Sequence, residues 1–421
     1  MLRFFKNILS DRNDDYTFYR FNHSDHITFK ENSGLYIHIP FCTHFCPYCP
    51  YIKIRFDKEL AREYKLALIK EISLYHDHLG PQSFSSVYIG GGTPTLMIDE
   101  LDEIFEHLHK HFTIIGNIAI ETTPTDTGTY TLKRLRSIGF NLISLGIQTF
   151  NDHYLKMIGR DYDSRIALRS LDEVMDQGFD TVNLDLIFAI GDQSIKDIRN
   201  DLFIAITRKV NQVTCYPLFT FPYSEIGQLK KLRKVSMPGI QTKRKMYYFI
   251  NEFLKENSYA RTNVWSFIND DSKQFSSVTR DYYLGLGVAS GSYNGEAFYF
   301  NTFSFPEYVK SVNTELPISI KMDVSKKMGK LFWLYWQLYK TVIEKKKYYE
   351  LTTINEENDF RLVTGLFRLL GFIESEDQGR IRLNTKGSYW IHLIQNYYAL
   401  NYVNKIWSAS KNNAWPDKIK L

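Results

Sequence analysis

Between Leu35 and about Phe221, short apolar runs alternate with longer amphipathic stretches at the spacing of strand-helix units, which confines this part of the chain to an α/β fold on parallel strands. The strands predicted are Leu35–Ile39, Ser86–Ile89, Asn117–Glu121, Leu142–Gly146, Thr181–Ile187 and Gln212–Leu218, with helices such as Lys58–Tyr75 and Ser164–Gln177 between them. Periodicity alone leaves two architectures open, a doubly wound open sheet and a barrel. In a barrel, chemistry gathers at the carboxyl ends of the strands, on loops held by a rigid scaffold. A chain of 421 residues has room for one such domain and a smaller one.

Three of the four cysteines stand within eight residues, Cys42, Cys46 and Cys49, at the exit of the first predicted strand. A closed structural zinc site wants four tetrahedral ligands, and no fourth lies nearby. An iron-sulfur cubane fits better, since three thiolates leave one iron free to bind something else. A disulfide reading would need an oxidising compartment. The chain opens Met1–Asn7 with no apolar segment of signal-peptide length, and it reads as cytoplasmic.

The other polar features of the alternating region also fall at strand ends. Gly90, Gly91, Gly92, Thr93 and Pro94 follow the second strand, where missing side chains let backbone groups approach a polar ligand. Glu121 closes the third strand and offers a carboxylate to a cation or hydroxyl. Gln148 ends the fourth, and Arg160 follows it with a fork suited to a carboxylate. Asp185 lies in an otherwise apolar fifth strand, where burial demands a partner.

The C-x3-C-x2-C spacing is that of the radical S-adenosylmethionine (radical SAM) enzymes. The run from Tyr36 to Cys42 resembles the approach to that motif in the oxygen-independent coproporphyrinogen III dehydrogenase family, which includes heme chaperones and class C radical SAM methyltransferases. The resemblance extends from about Tyr36 through Tyr308 and takes in the GGGTP segment, Glu121 with Pro124, the S-x-G-x-Q segment ending at Gln148, and the Tyr-Leu-Gly-x-Gly segment ending at Gly287. It implies a partial (β/α)6 radical SAM barrel with a 4Fe-4S cluster on Cys42, Cys46 and Cys49 as the catalytic centre. S-adenosylmethionine, one molecule or two, would be held by Tyr36, Tyr48, Gly91, Gly92, Thr93, Glu121, Gln148, Arg160 and Asp185. Reductive cleavage of the sulfonium would give a 5′-deoxyadenosyl radical, with a flavodoxin or ferredoxin-type protein as electron donor. Where the family has Gly-x-Pro after the fifth strand, this chain has Phe188 to Gln193, which leaves that loop's geometry open.

Three outcomes share that step. Oxidative decarboxylation of coproporphyrinogen III, in porphyrin biosynthesis, is weakened because the decarboxylases carry a fourth cysteine where this chain has Tyr51. Non-catalytic heme trafficking is weakened because Arg261 to Phe300 holds no histidine. Class C methylation contradicts no residue and is slightly favoured, on a planar aromatic or tetrapyrrole substrate. A plain electron-transfer iron-sulfur protein would need no methionine-binding cradle.

After Phe221 the alternation breaks down. From about Asp323 the helices Lys326–Ile343 and Glu357–Leu370 and a hairpin of 372–375 with Arg380–Leu383 predict a smaller winged-helix-like domain, and the resembled family implies that it covers the active site. The expected organisation is an N-terminal extension 1–34, barrel 35–222, connecting segment 223–322 and lid 323–421. The predicted recognition helix lacks a basic stripe and the net charge is only +5, so nucleic acid is not the expected partner. No run of about twenty apolar residues exists to span a membrane. Cys215 reads as a buried structural thiol, and His107, His109 and His111 as a solvated helix end.

Overall fold

The computed structural model describes residues 16–232, 237–269, 272–276, 281–351 and 354–421. Residues 1–15 of the expected N-terminal extension, and Thr279 and Arg280 before the glycine segment, lie outside them.

The alternating region folds as six parallel strands joined by helices. In chain order these are β1 (Ser33–Ile39), α1 (Lys58–Leu79), β2 (Gln82–Gly91), α2 (Ile98–His111), β3 (Ile118–Thr122), α3 (Thr129–Ile138), β4 (Leu142–Gln148), α4 (Ser164–Met175), β5 (Thr181–Phe188), α5 (Ile195–Thr207) and β6 (Gln212–Pro217). Each strand pairs in parallel with the next in sequence. This is a mixed α/β fold on a parallel core, as the alternation requires. Strands buried on both faces read as near-continuous apolar runs, and β1 and β5 each have only one position that is not buried.

The sheet grows beyond the six strands on both sides. Ser266–Asn269 adds antiparallel to β6, while Tyr283–Leu286 adds parallel to β1 and carries the Tyr-Leu-Gly segment. Among the described residues the hydrogen-bonded path runs on from Tyr259–Arg261 at one end to Lys418–Lys420 at the other.

α1 shows why the helices form where they do. Asp57 caps it by accepting from the amides of Glu59 and Leu60, and Gly80 ends it at φ +68°. Its buried residues Ala61, Tyr64, Leu68, Ile72 and Tyr75 recur at helical spacing and meet the sheet. Glu71 sits on the same face, fully buried. It accepts hydrogen bonds from Tyr308 Oη (2.6 Å), the Gly287 amide (2.7 Å) and Asn301 Nδ2 (2.7 Å). One carboxylate thus ties α1 to three points of the connecting segment.

Beyond Asp323 a second core forms around Trp333, Ile343, Phe360, Phe367 and Ile381. It contains α6 (Lys326–Tyr339), the three-stranded sheet of Val342–Glu344, Arg380–Leu383 and Ile373–Glu376, and α7 (Ile354–Leu369), followed by the 28-residue α8 (Thr385–Asn412). The helix expected over Lys326–Ile343 stops at Tyr339. Thr341 takes φ +61°, and the β-branched pair Val342 and Ile343 joins the hairpin opposite Arg382 and Ile381. No helix of the described residues is long and apolar enough to cross a membrane.

Glu71→Ala leaves two buried donors, the Gly287 amide and the Tyr308 hydroxyl, without an acceptor, removes one of three acceptors from Asn301 Nδ2, and opens a cavity. We expect a loss on the order of 3 kcal/mol in denaturant unfolding, against less than about 0.5 kcal/mol for the exposed Glu59→Ala.

Candidate functional site

The cysteine loop is clasped at both ends. Phe41–Cys42 pairs with Ile54–Arg55, and the Phe56 amide donates to Cys42 O at 3.0 Å. Within the loop, Cys49 N donates to Cys46 O (3.2 Å), Lys53 Nζ to the same oxygen (2.9 Å) and Trp407 Nε1 of α8 to Pro50 O (3.1 Å). The three thiols are free and line one cavity of about 450 Å³ at the carboxyl ends of the parallel strands. Burial pushes Cys42 up to about 12, with the neighbouring Cys49 and Cys46 thiols adding to it and Lys53 opposing. Cys49 is raised by the same desolvation.

No three His, Cys, Asp or Glu side chains among the described residues converge tightly enough to hold a single metal ion. Three thiols lining one cavity suit a multi-iron cluster, where each thiolate binds its own iron. Cys215 is buried in β6, and its neighbours Thr214 and Tyr216 line the cavity while it does not. His107 and His111 do share one face of α2, their ring centroids 4.5 Å apart, with His107 Nε2 at 2.8 Å from Ser73 Oγ.

The glycine turn serves a contact that sequence reasoning did not anticipate. The Gly92 and Thr93 amides donate to Ile39 O (2.6 Å) and Phe41 O (2.7 Å), pressing the turn against the strand that leads into Cys42. Gly91 has φ +117°, and a Cβ there would stand 2.6 Å from the His38 ring; at Gly92 it would meet Phe41 O. The space that the missing side chains free is thus filled by the protein's own backbone and by His38.

Opposite the thiols stand two carboxylates and a guanidinium. Glu121 accepts from Tyr88 Oη and from the Gly91 amide (3.3 Å), and burial still pushes it up to about 7. Asp185 accepts from Ser144 Oγ (2.8 Å) and Asn183 Nδ2 (2.9 Å) and is pushed up to about 6 by burial, against those bonds and the pull of Arg160. Arg160 lies 5.7 Å from the ring centres of both Tyr48 and Tyr162. Among the described residues it makes no ion pair, and its Nε has no hydrogen-bond partner. Gln148 is held at φ +74°, a strained value for a side-chain-bearing residue, and its buried Oε1 also lacks a partner, as does Tyr48 Oη.

Eleven of the twelve residues singled out in the sequence line this cavity: the three cysteines, Tyr48, Gly91, Gly92, Thr93, Glu121, Gln148, Arg160 and Asp185. Tyr36 does not. Its hydroxyl bonds His38 Nδ1 at 2.8 Å, and its ring packs near Tyr88. Sequence reasoning gave no role to Ser144 and Asn183, although Asn183 alternates with Asp185 on β5 and Ser144 lies opposite Asn183 on β4, each a polar break in an apolar strand. It also missed an aromatic wall of Phe219, Trp265, Phe275 and Tyr339, together with His392.

A model of the Radical SAM superfamily matches residues 36–203. The heme chaperone HemW of Bacillus subtilis is 27% identical over 267 residues, 62% of this chain and 70% of that protein. The oxygen-independent coproporphyrinogen III oxidase of Salmonella typhimurium is 26% identical over 303 residues, covering 66% and 65%. The solved coproporphyrinogen III oxidase HemN from Escherichia coli superposes with a TM-score of 0.74 at 21% identity, over 86% of this chain and 89% of that one, a likeness of fold.

The Arg160 guanidinium is partly buried and makes no ion pair among the described residues, so in the ligand-free protein its desolvation is set only against the more distant Asp185 carboxylate and the neighbouring tyrosines. Arg160→Met keeps the volume and removes the charge, so the thermal midpoint of the ligand-free protein should rise, by an amount equivalent to about 1–4 kcal/mol. A fall would mean that the charge is compensated within the fold.

Proposed function

Because residues 36–203 carry a radical SAM domain, whose cofactors are a 4Fe-4S cluster and S-adenosylmethionine, we propose that this chain directs their chemistry at a flat, conjugated substrate of the tetrapyrrole class. A 4Fe-4S cluster held by the three cysteines, once reduced by an external one-electron donor, would supply the electron for reductive cleavage of bound S-adenosylmethionine to methionine and a 5′-deoxyadenosyl radical. The chain's own residues fit that pair. Cys42, Cys46 and Cys49 would take three irons. The methionyl part of the ligand is a zwitterion, and the cavity offers a matching set of desolvated charges that do not neutralise one another.

The observation that carries the reading is Arg160, a partly buried guanidinium that lines the thiol cavity and makes no ion pair among the described residues. Its fork would hold the ligand's carboxylate, and Glu121 would accept from the ammonium group. Gln148 Oε1 and Asp185 are placed as acceptors for the amino or ribose groups, and Tyr48 would lie against the adenine. The turn of Gly91, Gly92 and Thr93 keeps these groups beside the cysteine loop. Lys53, at Cys46 O, tempers the negative charge of the thiolates. A one-electron donor of the flavodoxin or ferredoxin type completes the proposed system.

The relatives named above move the choice among outcomes from methylation towards tetrapyrrole chemistry. The aromatic wall of Phe219, Trp265, Phe275 and Tyr339 supports a flat substrate. Tyr51 lines the cavity where the decarboxylases have a cysteine, which keeps propionate decarboxylation as the second reading.

Anaerobic reconstitution with iron and sulfide, followed by dithionite and S-adenosylmethionine, should yield 5′-deoxyadenosine, and Cys42→Ala should abolish it. Reconstituted protein that leaves the ligand intact sinks the proposal. Coproporphyrinogen III consumed with loss of carbon dioxide would select decarboxylation; S-adenosylhomocysteine would restore methylation.

Glu121 adds a pH test. Its raised pKa, about 7, means that the ammonium partner must displace a proton in acid and meets a carboxylate above neutrality. Calorimetric affinity for S-adenosylmethionine should therefore increase between pH 6 and 7.5. In Glu121→Gln it should be weaker, and the increase over that range should be smaller, since only Asp185, pushed up to about 6, still titrates there.

A further inference from the structure

The C-terminal helix α8 brings one titratable side chain to the cavity that the cofactor chemistry does not use. His392 is 8% exposed and lines the cavity, and neither Nδ1 nor Nε2 has a hydrogen-bond partner among the described residues. Its ring centre lies 4.7 Å from that of Trp265 at 83°, and 5.9 and 6.4 Å from those of Tyr339 and Phe219. Burial pushes the imidazole down to about 3, so it is neutral and has one N–H and one lone pair.

The imidazole is not there by slack packing. α8 is pinned on either side of it, by Tyr389 Oη donating to Ile240 O at 2.9 Å and by Gln395 Nε2 donating to Tyr335 O at 2.6 Å. A residue that only filled space among aromatic rings would need no nitrogens, and burying them unpaired works against folding. The edge-to-face contact suits an N–H directed at the indole of Trp265, which leaves the second nitrogen as a free electron-pair donor.

We infer that His392 is a substrate-binding residue, whose free nitrogen engages the polar centre of a flat conjugated macrocycle, either its inward N–H groups or a central metal, with Trp265 and Tyr339 beside it. The inference rests on the proposed function and adds the residue that recognises the substrate. It also makes α8 part of the substrate site rather than only a cover.

The test titrates the reconstituted protein with protoporphyrin IX, which has central N–H groups, and with zinc protoporphyrin IX, which has a metal, following fluorescence. His392→Phe should lower the affinity for at least one of them tenfold or more while leaving the thermal midpoint no lower than that of the wild type. A loss confined to the metal-free compound identifies the N–H groups as the partner, and one confined to the zinc compound identifies the metal. His392→Gln, which keeps an acceptor, should lose less than Phe for the metal-free compound if that is the form bound. Affinity unchanged within twofold in the Phe variant overturns the inference, as does a Phe variant that melts lower or fails to fold, since the nitrogens would then serve the fold. Both of those outcomes leave the proposed function standing, whereas wild-type protein that binds neither macrocycle overturns both.

Discussion

Two backbone hydrogen bonds, from the Gly92 and Thr93 amides to Ile39 O and Phe41 O, hold the exits of β1 and β2 together. Everything at the site depends on that contact. The cysteine loop leaves from β1 and the glycine turn from β2, so joining them brings Thr93 Oγ1 to 4.0 Å from Cys42 Sγ, while the Gly91 amide of the same turn donates to Glu121 on β3. Only residues without a Cβ allow it: at Gly92 a side chain would run into Phe41 O, and at Gly91 the left-handed backbone excludes one on its own account. The glycines therefore act on the site through the fold, by closing the gap between two adjacent strand ends.

That geometry concentrates charge where water is scarce. Glu121 and Asp185 are both pushed up by burial, Asp185 adds to the rise at Glu121, and Arg160 only partly offsets Asp185. A fold selected for stability alone would pair these groups or replace them with apolar side chains. Here the polar supports run to neutral partners instead: Tyr88 to Glu121, and Ser144 and Asn183 to Asp185. Neutral supports fix the carboxylates in place without cancelling their charge, which leaves that charge available to a ligand. The left-handed Gln148 belongs to the same pattern, since local strain is tolerated where the surrounding strands determine the backbone.

The parallel core and most of the cavity's first half were legible in the sequence because both are local. A strand buried on two faces reads as an apolar run, so Asp185 inside one stands out, and Cys42, Cys46 and Cys49 stand out by spacing. Strand ends shifted by a few residues, as β2 did by starting at Gln82 rather than Ser86, because edge pairing with Phe112–Ile114 leaves no mark in β2's own pattern. Tyr36 was read as a cavity residue, but its position in the strand directs the hydroxyl to His38. Trp265, Tyr339 and His392 were invisible for a different reason. They come from separate elements of the second half, and only tertiary packing brings them together.

The division between the halves also divides the chemistry. The parallel strands supply the two carboxylates, Glu121 and Asp185, and the segment after β4 supplies Arg160; the strands' spacing is set by ladder hydrogen bonds that tolerate little change. The aromatic wall comes from the sixth strand's exit, the connecting segment and the C-terminal helices, where packing rather than backbone pairing sets position. Trp407 shows how the two are joined: one residue of α8 donates to Pro50 O in the cysteine loop and lies near Tyr223, so the helix that carries His392 is anchored at the thiols themselves. Changes in the wall can therefore alter which flat molecule fits while the helix stays in register with the cysteine loop. This arrangement holds the strand core fixed while the wall varies, and it places the residues that shape the cavity's far side in the part of the chain where sequence pattern says least.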